Sequence, residues 1–105
     1  PPAEPDAAAV RHWGVQILSR SGQTAAAALY DCIAGIDLRP RLAEVALPVL
    51  VIHGEVDALV PVSDARAMVA ALPHAALHLI PGAGHVPTMT RPDEVGAAID
   101  GYFVA

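Results

Sequence analysis

The sequence predicts an α/β fold, with helices packed on parallel strands. The run VLVIH at residues 49–53 is apolar at successive positions without alternation, which is typical of a strand buried on both faces of a parallel sheet. A second run, ALHLI at residues 76–80, follows a stretch with helical pattern. The order strand, helix, strand, helix therefore predicts parallel strands joined by a right-handed crossover. At 105 residues the chain has the length of one small domain.

Helical segments are predicted before the first strand. Residues 1–6 carry three prolines and two acids and predict an extended linker. Gly35 is a suitable helix stop, and Asp37 can cap a short turn. The predicted elements are a linker over 1–6, helices over 7–18 and 25–34, and a turn over 38–45.

The second half of the chain predicts two helices that flank the second strand. Ser63 is the expected start of the first, and Pro73 follows its end at Leu72. Thr90 and Asp93 have the spacing of a capping box for a final helix from Pro92 to Phe103. The apolar positions of that helix are predicted to share one face: Val95, Ala98, Ile99, Tyr102 and Phe103.

Composition excludes several classes of function. The net charge of −5 argues against a nucleic-acid partner, which requires clustered basic residues. The single cysteine, Cys32, excludes an internal disulfide and a multi-thiolate metal site, and it suits a reducing compartment such as a bacterial cytoplasm. No apolar run approaches the roughly 18 residues of a membrane helix, so no membrane association is expected.

Two polar side chains follow the two predicted strands. Asp57 lies in the loop after the first strand, and His85 lies in the loop after the second. Reactive groups of parallel sheets collect at this edge, so the two side chains are expected to meet there. A carboxylate bound to one imidazole nitrogen leaves the other free to take a proton from a nucleophile. The structural alternatives are an Asx turn for Asp57 and a backbone-bonded loop residue for His85.

These residues lie in motifs that resemble a known family. PVLVIHGEVDALVP at 48–61, PGAGHVP at 81–87 and RPDEV at 91–95 occur in the order found at the C-terminal end of α/β-hydrolases. The resemblance implies that Asp57 is the acid and His85 the base of a catalytic triad. It also implies a C-terminal part of the hydrolase core over residues 37–105, preceded by a linker and helical, cap-like segment over residues 1–36.

The chain departs from the family pattern at the nucleophile. The family carries its nucleophile in a Gly-x-Ser-x-Gly turn, and none of Ser19, Ser21 and Ser63 has that context. Cys32 lies within a predicted helix, and no oxyanion-hole segment is evident. His53 and Gly54 imitate an oxyanion pair at the wrong strand, so His53 is interpreted as a structural residue. We therefore interpret the chain as a C-terminal fragment without its own nucleophile.

The resemblance implies hydrolysis of a small ester or acyl substrate without metal or organic cofactor. DLRPRL at 37–42 resembles carboxylesterases and lactonases, which favours esters. Trp13, Val86 and Met89 are candidate substrate contacts, with core packing as the alternative. The resemblance also allows other reactions known for this fold, which are cofactor-free haloperoxidase, perhydrolase and C–C hydrolase activity.

The alternative to an enzymatic function is that the chain is not a catalyst. The chain is then a remnant, or an interaction module that completes the sheet of another chain. A two-stranded piece with open edges is expected to associate with the missing N-terminal portion or with itself.

Overall fold

Two parallel strands form the sheet in the computed structural model, which describes residues 6–104. Strand β1 spans Val49–Gly54 and strand β2 spans Ala75–Ile80. Their register pairs Val49 with Ala75 and Gly54 with Ile80, so both strands end at the same edge. The predicted parallel pairing is confirmed, and it places the loops after the two strands side by side.

The helices follow the predicted order. Helix α3 (Val62–Ala71) connects the two strands, and α5 (Pro92–Phe103) packs against both of them. The short helix α4 (Pro87–Thr90) was not predicted. The predicted linker lies outside the described residues except for Asp6. The helices are α1 (Ala7–Ser19), α2 (Gln23–Ala34), α3 (Val62–Ala71), α4 (Pro87–Thr90) and α5 (Pro92–Phe103), with a 3₁₀ turn at Arg39–Glu44.

A small apolar core lies under the end of β2. Ile80 and Ala83 are fully buried, Val95 of α5 is nearly so, and Ile52 packs against them. Tyr102 adds a polar anchor between α5 and β1, because its hydroxyl donates to the Val49 carbonyl at 3.2 Å. The core therefore joins both strands and α5 directly beneath the loop that carries His85.

The structure corrects the expectation that β1 is buried on both faces, and it leaves part of the apolar face of α5 exposed. Residues 49–53 of β1 are only partly buried, because the sheet of the described chain has two strands and β1 pairs on one edge. In α5 the predicted apolar face is buried only in part. Val95 is buried, but Ile99 is 43% and Phe103 is 65% exposed, since the two-stranded sheet is too narrow to cover the whole face.

The predicted helix caps are also corrected. Thr90 belongs to α4, where its hydroxyl donates to the Val86 carbonyl at 3.4 Å, and α5 begins after Arg91 without a side-chain cap. Helix α3 begins at Val62 after Pro61, one residue before the expected start. Asp37 accepts a hydrogen bond from the Arg39 amide at 3.1 Å. It does so from one residue before Leu38, which occupies the N-cap position of the 3₁₀ turn.

Gly54 lies at a close approach between the two loops. A Cβ atom at this position would overlap the Gly84 carbonyl oxygen and lie 2.8 Å from the Ala83 carbonyl carbon. These are backbone atoms, so they cannot move aside as the end of a flexible side chain would. Only glycine lets the end of β1 pack directly on the loop after β2.

We predict that Gly54→Ala destabilises the protein by about 1–3 kcal/mol, the usual cost of inserting atoms into a packed site. The matched control is Gly101→Ala, because Gly101 lies in α5 with no atom within 4 Å of a new Cβ. Alanine is favoured over glycine in a helix, so the control is expected to stabilise by up to about 1 kcal/mol. Denaturant unfolding measures both, and equal effects would contradict the close approach.

Candidate active site

Backbone hydrogen bonds hold the two loops together before any side chain is considered. The Glu55 amide donates to the Ile80 carbonyl at 3.0 Å, and the Val56 amide donates to the Ala83 carbonyl at 3.0 Å. The first of these bonds extends the strand pairing by one residue. The second ties the acid-bearing loop to the loop that carries His85. The main chain therefore brings together the two loops that carry Asp57 and His85.

Both oxygens of the Asp57 carboxylate are bound. Oδ1 accepts the amides of Leu59 at 2.8 Å and Val60 at 2.9 Å. Oδ2 accepts His85 Nδ1 at 3.0 Å. The side chain is only 3% exposed. The Asx-type loop closure and the imidazole contact, which the sequence left as alternatives, thus occur together in one residue.

The surroundings of Asp57 favour its charged form. Burial raises the pKa of the carboxyl. The hydrogen bonds that it accepts from the Val60 amide, the His85 ring and the Leu59 amide together lower the pKa by more. The net pKa therefore lies below its ordinary value. Asp57 is a carboxylate at neutral pH and can act only as a hydrogen-bond acceptor there.

The contact with Asp57 defines the tautomer of neutral His85. A carboxylate only accepts hydrogen bonds, so Nδ1 carries the proton in the 3.0 Å contact. The lone pair is then on Nε2, which is the nitrogen available to accept a proton. The His85 side chain is 46% exposed, in contrast to its buried partner. Such an arrangement can supply an accessible base whose ring is oriented by a carboxylate hidden from solvent.

His85 borders a groove of about 400 Å³. One wall comes from α1, a second from the Asp57 loop and a third from the His85 loop. Among the described residues, no serine or cysteine lines it. The lining is largely apolar and consists of Ala7, Val10, Arg11, Val56, Ala58, Leu59, Gly84, His85, Val86 and Thr90.

Only one of the three candidate substrate contacts lies on this groove. Val86 lines it beside His85. Trp13 is 51% and Met89 is 43% exposed, and neither belongs to the lining or to the buried core. Arg11 lines the groove instead, which sequence analysis missed. The helical pattern over residues 7–18 gave no sign that one face of α1 meets the His85 loop.

His53 occupies the end of β1 next to the acid. Its Nε2 lies 2.9 Å from the Val60 carbonyl oxygen and 3.5 Å from Asp57 Oδ2. The bond to Val60 agrees with the structural interpretation of this residue. The proximity to the carboxylate was not predicted, because it depends on how the chain folds back after Gly54.

Within residues 6–104, no group of three or more His, Cys, Asp or Glu side chains is placed to hold a metal ion. Over the same range, every helix is too short or too polar to cross a bilayer.

Comparison with known proteins places the chain in a family. A family model described as serine aminopeptidase, S33, matches residues 6–90. The chain belongs to the α/β-hydrolases. The resemblance seen in the motifs is thereby confirmed, and the α/β fold class with it.

The chain is similar to curated esterases over part of their length. It is 38% identical over 93 residues to the pimeloyl-[acyl-carrier protein] methyl ester esterase of Xanthomonas campestris pv. campestris, covering 86% of this chain and 37% of the relative. It is 39% identical over 69 residues to the enzyme of that name from Serratia marcescens, covering 66% and 27%. The chain therefore spans well under half the length of these relatives.

Solved hydrolase structures are also similar to the chain over only part of their length. An esterase from Thermogutta terrifontis aligns with a TM-score of 0.61 at 35% identity, covering 63% of this chain and 24% of that one. Est816, described as an N-acyl homoserine lactone degrading enzyme, aligns with a TM-score of 0.60 at 31% identity, covering 65% and 26%. The two-stranded unit thus corresponds to part of an α/β-hydrolase.

We predict that Asp57 makes stability fall on acidification. Its folded-state pKa is lowered, so its contribution is complete well above the unfolded value of about 3.9 and is lost as the pH falls through that value and below. The free energy of unfolding of the wild type should drop below about pH 5, and Asp57→Asn should lack this part of the drop. Denaturant unfolding between about pH 3 and pH 7 measures it. Parallel pH profiles for the two proteins would contradict the assignment.

Proposed function

We propose that this chain is the C-terminal part of an α/β-hydrolase that cleaves carboxylic esters or lactones by a serine nucleophile. Asp57 is its triad acid and His85 its general base. The observation that carries the proposal is the 3.0 Å contact between the buried Asp57 carboxylate and the exposed His85 ring. The esterase relatives support the reaction class.

In the first half of the reaction, His85 activates the nucleophile. Nε2 takes the proton from the serine hydroxyl as its oxygen attacks the substrate carbonyl. The resulting imidazolium is stabilised by the Asp57 carboxylate, which keeps its charge. When the tetrahedral intermediate collapses, Nε2 returns the proton to the departing alcohol, and the acyl group remains on the serine.

In the second half, His85 activates water. Nε2 takes a proton from a water molecule, whose oxygen attacks the acyl-enzyme carbonyl. Collapse of this intermediate breaks the acyl–serine bond, and the proton passes from Nε2 back to the serine. The free acid leaves, so the imidazole ends each half-reaction neutral.

Two observations support placing the nucleophile on a segment outside this chain. None of the serines at 19, 21 and 63 has the Gly-x-Ser-x-Gly context, and none lines the groove beside His85. The apolar residues of β1 are also only partly covered in the described chain. A larger sheet would cover them, as expected for a strand without polar alternation.

Ester hydrolysis is favoured over the haloperoxidase, perhydrolase and C–C hydrolase reactions that the same fold supports. The curated relatives are named for cleavage of a methyl ester, which breaks an acyl–oxygen bond, and one similar solved structure is described as an N-acyl homoserine lactone degrading enzyme. The groove at His85 is lined by short apolar side chains with Arg11 at one wall. Such a surface suits an acyl chain next to the reacting carbonyl.

The test is serine labelling of the protein encoded by this sequence together with the reading frame upstream of it. A fluorophosphonate probe should label one serine in an upstream Gly-x-Ser-x-Gly turn, and the same protein should hydrolyse p-nitrophenyl butyrate. Labelling at Ser19, Ser21 or Ser63 would contradict the proposal. So would an upstream frame without such a turn.

We predict that His85→Ala lowers kcat/KM for p-nitrophenyl butyrate by roughly 10⁴- to 10⁶-fold, the range seen when a triad base is removed. The control is His74→Ala, because His74 is an exposed histidine after α3. It should keep wild-type activity. Retained activity in His85→Ala would refute the role of this residue.

Asp57→Asn tests the acid separately. The amide would present a donor or a weaker acceptor to Nδ1, which favours the wrong imidazole tautomer. We predict a loss of roughly 10⁴-fold in kcat, as in other triads with this change. Steady-state kinetics at neutral pH measures it, and a loss below tenfold would show that Asp57 does not orient the base.

A further inference from the structure

His53 is a second histidine that lies beside the Asp57 carboxylate. Its side chain is 13% exposed, whereas that of His85 is 46% exposed. It lies at the end of β1, directly before Gly54, and it does not line the groove. Nothing in the reaction proposed above uses it.

The partner of His53 fixes where its proton lies. The Val60 carbonyl oxygen, 2.9 Å from Nε2, can only accept a hydrogen bond. Nε2 of neutral His53 therefore carries the proton and donates it to Val60. The same nitrogen lies 3.5 Å from Asp57 Oδ2, so this N–H also faces the carboxylate.

Val60 is held from two sides by this arrangement. Its carbonyl accepts from His53, and its amide donates to Asp57 Oδ1 at 2.9 Å. The amide of Asp57 itself donates to the Gly54 carbonyl at 3.2 Å. The loop between β1 and α3 is thus closed at its far end by the bond from His53 and in its middle by Asp57.

We propose that His53 is a positioning residue for the acid–base pair. By binding the Val60 carbonyl it fixes the amide that holds Asp57 Oδ1, and so fixes the direction in which Oδ2 meets His85. The inference rests on the proposed function, since it assumes that the Asp57 and His85 contact is used in catalysis. It adds a third side chain whose geometry the reaction depends on.

Two polar substitutions separate a positioning role from simple strand-end packing. The amide nitrogen of Gln can reach the position of His Nε2, whereas that of Asn corresponds to Nδ1 and is too short to reach Val60. In the enzyme with its upstream segment, His53→Gln should keep most of the wild-type kcat. His53→Asn should lower kcat by roughly 10- to 100-fold, the cost of a misplacement of about 1 Å, with KM unchanged.

The matched control is His78→Asn. His78 lies on β2 opposite Ile52 and is exposed, so this change should leave kcat unaltered. Unfolding curves are recorded for every variant, and kinetics are compared at a temperature where each is folded. If His53→Asn does not fold at any such temperature, His53→Ala takes its place.

The outcomes distinguish the inference from the proposed function. A kcat loss in His53→Asn with retention in His53→Gln supports positioning. Equal kcat in the Asn variant and the wild type, or equal losses in Asn and Gln, would overturn it. If His85→Ala keeps full activity, the proposed function itself fails, whatever the His53 variants show.

Discussion

The close approach of Gly54 to the Ala83–Gly84 backbone is the constraint on which the site depends. It brings the end of β1 onto the loop after β2, with no side chain between them. The hydrogen bond from the Glu55 amide to the Ile80 carbonyl extends the strand pairing, and the one from the Val56 amide to the Ala83 carbonyl ties the two loops, both at 3.0 Å. These main-chain contacts bring together the two loops that carry Asp57 and His85.

The Asp57 carboxylate divides its two oxygens between two tasks. Oδ1 is taken by loop amides, and Oδ2 faces the two imidazoles. The neutral rings are in opposite tautomers, because His85 donates from Nδ1 to a carboxylate and His53 donates from Nε2 to a carbonyl. The same buried carboxylate therefore closes its own loop and orients the exposed His85 ring.

The sequence predicted the features that depend on local pattern and strand direction. An apolar run predicted β1, and parallel pairing predicted that Asp57 would meet His85. Contacts that depend on how neighbouring segments of the chain fold against each other were not predicted. Thr90 was expected to cap α5, but Pro87 starts a separate turn that takes up its hydroxyl. The contact of His53 with Asp57 depends on a chain reversal that spacing alone does not show.

The most direct test of the account is the tautomer of His85 in the protein, measured by ¹⁵N NMR with labelled histidine at a pH where the imidazole is neutral. We expect a proton on Nδ1 in the wild type and a change of the tautomer population in Asp57→Asn. A proton on Nε2 in the wild type, or averaging between the two nitrogens, would show that Asp57 does not hold the ring. It would thereby contradict the central claim.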